Sequence, residues 1–185
     1  MFQKIEGKDY AKETESRAII RFQDCDPLQH LNNSKYFDYY FNAREDQVAK
    51  IYEFKFSEIF KNYRTSWVVY QHQIAYLRPA NVSEWVKIFS RLIYFDADTT
   101  VTEYFMTDET KTELKNMLWV TSKYISVETG KRIPHQQGVI DYLSATCVPN
   151  LDFASMNFND RIREIKKALN PTQPSPEKGE GFIRK

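Results

Sequence analysis

The sequence predicts an α+β fold, in which an antiparallel five-stranded sheet wraps one long central helix and a second helix lies near the C terminus. Three observations carry this. A β-branched run, Ala18-Ile19-Ile20-Arg21-Phe22, leads into a polar loop, after which Phe37, Phe41, Arg44, Val48 and Ile51 recur at helical spacing. Four long runs rich in Val, Ile, Thr, Tyr, Phe and Trp follow, at Thr65–Leu77, Trp85–Phe95, Thr99–Thr107 and Glu113–Val127. The breaks between them (Arg78-Pro79-Ala80-Asn81, Asp96-Ala97-Asp98, Thr107-Asp108-Glu109) carry turn chemistry and are too short for anything but antiparallel neighbours.

Taken in order, residues 1–15 are polar and charged and read as a flexible arm. Ser16 to Phe22 is the first strand. Asn32, Asn33 or Ser34 can each cap the helix that follows. Its apolar face, Phe37, Tyr40, Phe41, Val48 and Ile51, is too wide for a solvated helix and calls for a covering sheet. Phe56 to Tyr63 extends it as a short helix or loop. After the last strand, Glu128-Thr129-Gly130-Lys131 turns the chain, and Pro134 to Ala145 suits a turn or short helix, closing a domain over 16–145. Residues 146–169 form an extension whose stretch 156–169 is an amphipathic helix with the stripe Phe158, Ile162, Ile165 and Leu169. The tail 170–185, with three prolines and two glycines among many charges, reads as disordered.

Bulk properties exclude several classes. At 185 residues the chain suits one domain with a real core, and 42% apolar content belongs to a folded protein. A net charge of +1 provides no global field for nucleic acid or an anionic membrane. Cys25 and Cys147 are too few for a disulfide framework, and three scattered histidines give no metal-ligand spacing. No signal-peptide core and no span of about 18 apolar residues occurs. A soluble, cytoplasmic protein without metal or cofactor is expected.

Chemistry concentrates in Asp24-Cys25-Asp26-Pro27-Leu28-Gln29-His30-Leu31-Asn32-Asn33-Ser34-Lys35-Tyr36. An acid-rich loop that opens a helix sets ionisable side chains beside free N–H groups and the positive end of the helix dipole. Such an arrangement binds an anion or stabilises one that forms during a reaction. Asp26 before Pro27 also suits an Asx turn, and Asp24 a turn or cap. Cys25, between two carboxylates, is a poor nucleophile. His72 reads as a core or pocket-wall residue, and His135 has no motif partner.

The order of strand, polar loop, long helix and four antiparallel strands resembles the hotdog fold of the thioesterase and dehydratase superfamily. Asp24-Cys25-Asp26-Pro27 is similar to the motif of the 4-hydroxybenzoyl-CoA thioesterases. The stretch from Asp26 to Tyr36 resembles the acyl-ACP thioesterase pattern Asp-x-Asn-x-His-x-Asn-Asn-x-x-Tyr. Ile74-Ala75-Tyr76-Leu77-Arg78-Pro79-Ala80 looks like that group's Tyr-x-Arg-Pro-Ala turn, and Val127 to Pro134 like its last-strand exit. Leu28 stands in place of the acyl-ACP enzymes' Asn, and Gln29 where many relatives have Gly.

The resemblance implies a thioesterase acting on an acyl-CoA, or less readily an acyl-ACP. Asp26 is then general base or nucleophile, since a carboxylate serves either role, and His30 is catalytic beside it, holding the carboxylate or a water in place or donating to the thioester carbonyl. The backbone N–H groups of Asn33 and Ser34 face the developing oxyanion, with Asp24 and Asn32 in support. Because CoA carries phosphates, Arg78, Lys87, Arg91, Lys123 and Arg132 are candidates for its binding. Free sheet edges imply a homodimer or homotetramer. The alternatives are a hotdog enoyl-CoA hydratase or dehydratase, whose Asp-to-His spacing neither Asp24 nor Asp26 matches, and a module that holds an acyl thioester without turning it over.

Overall fold

The computed structural model describes residues 7–53, 56–149 and 151–170. Five strands, β1 (Thr14–Ile19), β2 (Thr65–Tyr76), β3 (Trp85–Phe95), β4 (Thr99–Asp108) and β5 (Leu114–Ser126), form one sheet in the order β1-β3-β4-β5-β2. All neighbours are antiparallel, with Arg17 opposite Lys87, Phe105 opposite Met117 and Ile74 opposite Leu118. The helices are α1 (Tyr36–Tyr52), α2 (Phe56–Tyr63), α3 (Gln137–Thr146) and α4 (Phe158–Leu169). This is the hotdog architecture. No helix among the described residues is long and apolar enough to cross a membrane.

Side-chain alternation explains why the central strands are buried along nearly their whole length. On one face Ile88, Tyr104, Met106, Leu118 and Val120 pack beneath α1, against Tyr36, Tyr40 and Ala43. On the other, Phe89, Phe105, Met117 and Trp119 receive Phe158, Ile162 and Ile165 of α4. The C-terminal extension therefore covers a sheet face that a lone helix would leave bare. Asn157 caps α4 by accepting from Asn159 N–H at 2.8 Å, and at the far end Asn170 Nδ2 donates to the Thr112 carbonyl. The rest of the tail expected to be disordered lies outside the described residues.

Between these layers Glu103 is fully buried. Its carboxylate accepts from Arg91 Nε (2.5 Å), Trp119 Nε1 (2.8 Å), and Arg161 Nε and Nη2 (3.1 and 3.2 Å). Burial alone would raise this carboxyl, but the two guanidiniums and the indole N–H outweigh it and hold it below its ordinary value. One acid thus ties α4 to the sheet.

Three expectations are corrected. Residues 10–15 are not a loose arm: Tyr10 is buried with Tyr52 and Tyr142, Tyr52 Oη donates to the Ala11 carbonyl at 2.6 Å, and β1 starts at Thr14. The first strand stops at Ile19, and Phe22 lies 82% exposed in a 3₁₀ turn over Phe22–Asp24. Helix α1 is rotated from the apolar reading, so that Phe41 and Ile51 are exposed while Arg44 and Gln47 are buried. Gln47 is satisfied inside by Thr14 Oγ1 (2.7 Å), Ser90 Oγ (2.6 Å) and Ser16 Oγ (2.9 Å).

Candidate active site

The polar loop is a closed double-stranded turn. Cys25 sits opposite Leu31, Asp26 N–H donates to the His30 carbonyl at 2.8 Å, and Asn32 N–H to the Asp24 carbonyl at 2.9 Å. Gln29 closes the turn at φ 63°, a left-handed conformation that favours glycine. The loop then docks on the turn after β2: Leu31 N–H donates to the Ala80 carbonyl and Val82 N–H to the Gln29 carbonyl. That turn is braced by Lys115, a nearly buried cation that donates to the Pro79 carbonyl at 3.0 Å and pairs with Glu84 at 2.8 Å. Sequence reasoning passed over Lys115 and Glu84, because neither carries a motif and their pairing links β5 to a distant turn.

Asp26 has two different oxygens. Oδ1 accepts from the N–H groups of Leu28 (2.9 Å) and His30 (3.1 Å), which is the Asx turn expected before Pro27. Oδ2 takes part in no hydrogen bond or ion pair among the described residues. Structural anchoring and an available basic oxygen thus coexist in one carboxylate. Asp26 lines a cleft of about 270 Å³ with His30, Asn33, Tyr36, Tyr76 and Arg78. Tyr76 Oη donates to the Asn33 carbonyl at 3.1 Å, and its ring meets Tyr36 edge-on at 5.3 Å, which fixes the cleft wall. Burial pushes the Tyr36 hydroxyl up to about 12, so it stays protonated.

The other candidates separate. Asn32 Oδ1 accepts from both Ser34 N–H (3.0 Å) and Ser34 Oγ (2.8 Å), making it the cap. Ser34 N–H is therefore already committed, and the oxyanion expectation narrows to Asn33 N–H. Asp24 supports rather than faces the cleft: its Oδ2 accepts from Tyr39 Oη at 3.0 Å, and Tyr39 Oη accepts in turn from Arg21 N–H. A larger groove of about 470 Å³ between β1 and α1 borders Asp24, away from Asp26. Burial and then the Asp24 and Asp26 carboxylates push the Cys25 thiol up, as its flanks suggested.

Of the five basic candidates, Arg78 alone lines the Asp26 cleft. Lys87 is paired with Glu15, Arg91 with Glu13 and Glu103, and Lys123 and Arg132 with Asp98. They are structural cations, unmarked as such in the sequence because their acids lie on other elements. His72 is exposed on β2 with its ring 4.8 Å from Phe37. His135 is buried, accepting from Trp67 Nε1 at 3.1 Å, with Nδ1 3.0 Å from the Asp96 carbonyl.

A family model described as the thioesterase-like superfamily matches residues 20–164. The chain belongs to that superfamily. Among solved structures it is similar to the YbaW probable thioesterase from Escherichia coli, at TM-score 0.64 and 21% identity over 72% of this chain and 98% of that one. It is also similar to Slr0204, a 1,4-dihydroxy-2-naphthoyl-CoA thioesterase from Synechocystis (TM-score 0.65, 12% identity, 75% and 98% covered). A DHNA-CoA thioesterase from Staphylococcus aureus matches at TM-score 0.64 and 16% identity, over 84% and 94%. At these identities the likeness is one of fold. No curated protein sequence matches the chain. Superfamily membership supports thioester hydrolysis as the general activity.

Proposed function

We propose that this protein hydrolyses an acyl-CoA thioester. Water adds to the carbonyl carbon, the C–S bond breaks, and the products are a free acid and the CoA thiol. Asp26 acts through Oδ2, either taking the proton of the attacking water or attacking carbon itself before water releases the acyl group. Asn33 N–H, at the N-terminal end of the turn that opens α1, polarises the carbonyl. Arg78 at the cleft rim meets a CoA phosphate, a geometry suited to a guanidinium. The single observation that carries this reading is the carboxylate of Asp26, with Oδ1 anchored by two backbone donors and Oδ2 uncommitted in the cleft.

The protein works as a homodimer joined through β2. That strand is a sheet edge, residues 68–73 are all exposed, and Val68, Val69 and Tyr70 are 42%, 53% and 70% exposed. An edge so apolar invites a second copy. The test combines free-thiol release from a panel of acyl-CoAs, an enoyl-CoA hydration assay on the same protein, and mass by light scattering. Thiol release from a dimer is expected. Hydration without thiol release would move the protein to the hydratases, binding without either would make it a carrier, and release from acyl-ACP alone would shift the head group.

A further inference from the structure

A third cavity, of about 300 Å³, lies between α1, α3 and the sheet, and Arg44 reaches into it. Arg44 is 9% exposed, and its hydrogen-bonding neighbours are neutral hydroxyls: Ser90 Oγ at 3.2 Å, Tyr142 Oη at 3.4 Å and Tyr52. Its guanidinium also lies 5.9 Å from the centre of the Tyr52 ring, and no carboxylate pairs with it among the described residues. A guanidinium keeps its charge at every working pH, and an uncompensated buried charge is costly. The rest of the wall joins apolar Trp67, Leu92 and Leu143 to the hydroxyls of Thr100, Thr102 and Ser122. A chamber with one fixed cation, several neutral donors and apolar sides suits a single carboxylate on a hydrocarbon chain.

Its position connects it to the thioester. Within one chain a row of rings links the two: Tyr36 of the Asp26 cleft lies 6.5 Å from Tyr40, which lies 5.4 Å from Tyr104 of the Arg44 cavity. In a two-fold pairing of β2 with its copy, centred on the middle of the Thr65–Tyr76 strand, Thr65 of one subunit would face Tyr76 of the other. Ser66 and Trp67 line the Arg44 cavity, and Tyr76 lines the Asp26 cleft. In that dimer the partner subunit's cleft would open beside this chain's Arg44.

Resting on the thioesterase reading above, we propose that the substrate is a CoA monothioester of a dicarboxylic acid, whose free carboxylate is held by Arg44 of the subunit across the β2 interface. The bidentate geometry of the guanidinium selects this acyl group against the monocarboxylic acyl group of equal length.

The experiment compares kcat/KM for adipoyl-CoA with hexanoyl-CoA, and suberoyl-CoA with octanoyl-CoA, in the full chain and in Arg44→Met and Arg44→Lys. The native protein should prefer the dicarboxylic partner, and Arg44→Met should shrink that ratio about 10- to 100-fold, the worth of a hydrogen-bonded charge. Its melting temperature should hold or rise, since the unpaired charge is gone. Arg44→Lys keeps charge without the fork and should fall between, and it serves if the Met variant fails to fold. Mixed dimers of Asp26→Asn and Arg44→Met chains should regain the preference; failure to regain it would overturn the cross-subunit arrangement. An unchanged ratio in both Arg44 variants would overturn the proposal. Should no thioester be turned over, the hydrolase reading fails on its own, and calorimetry with free adipate decides: binding lost in Arg44→Met upholds the carboxylate site, and equal binding removes it.

Discussion

The two faces of the sheet treat inward-pointing arginine in opposite ways. On the α4 face Arg91 and Arg161 converge on Glu103, an acid with no exposed surface. On the α1 face Arg44 is nearly as deep and meets only hydroxyls. A compensated charge network locks one conformation, whereas an uncompensated one leaves attraction to spare for a ligand. The difference divides the molecule into a stapled back and a working front, with both clefts on the α1 side.

The largest effect should come from breaking the staple. Glu103→Ala removes the acid shared by Arg91, Arg161 and the Trp119 indole, leaving Arg91 to Glu13 and Arg161 to Glu164, and should cost about 2–3 kcal/mol in denaturant unfolding. Activity per folded molecule should change far less, because Glu103 touches neither cleft. If Glu103→Ala proved as stable as the native chain, the contrast between the faces would lose its physical basis.

Acid should weaken both faces, at different pH. The Glu103 carboxyl is held below its ordinary value, so its contribution is present above that value and is lost as pH falls through the folded one. Burial also pushes the His135 imidazole down from its ordinary 6.5. The unfolded chain then takes up a proton that the folded chain refuses, so stability declines as pH drops below about 6.5. Urea midpoints measured at steps from neutral pH downward should fall continuously, and His135→Gln should flatten the upper part of that decline.

A smaller effect belongs to the loop's support. Asp24→Asn weakens the bond from Tyr39 Oη and should cost about 1–2 kcal/mol of stability. Its loss of kcat should stay well below that of Asp26→Asn. Equal losses in the two variants would return Asp24 to the site.

The fold was legible where local chemistry and tertiary packing agree. Alternating β-branched and aromatic runs broken by Asp- and Pro-rich turns placed β2 to β5 within a residue or so at each end, and the stripe on α4 named its buried face. The register of α1 was not legible. Its buried polar residues, Arg44 and Gln47, find their neighbours on β1, β3 and α3, contacts that no window along the chain contains. The arm failed for the same reason, since Tyr10 is held by Tyr52 and Tyr142 from far along the sequence. At the site, the resemblance to the thioesterase motifs named Asp26, His30 and Asn33, and these three line one cleft. The resemblance could not reveal that Ser34 N–H is spent on Asn32, or that four of the five proposed CoA cations already have acids of their own.

The central claim is that Asp26 drives thioester hydrolysis through Oδ2, and thiol release by Asp26→Asn tests it most directly. The amide keeps an oxygen that can accept from the Leu28 and His30 N–H groups, so the loop and the melting temperature should survive, while the basic or nucleophilic oxygen is lost. The expected result is a fall in kcat of about 10²–10⁴-fold with KM little changed. Near-normal turnover by a well-folded Asp26→Asn protein would contradict the account.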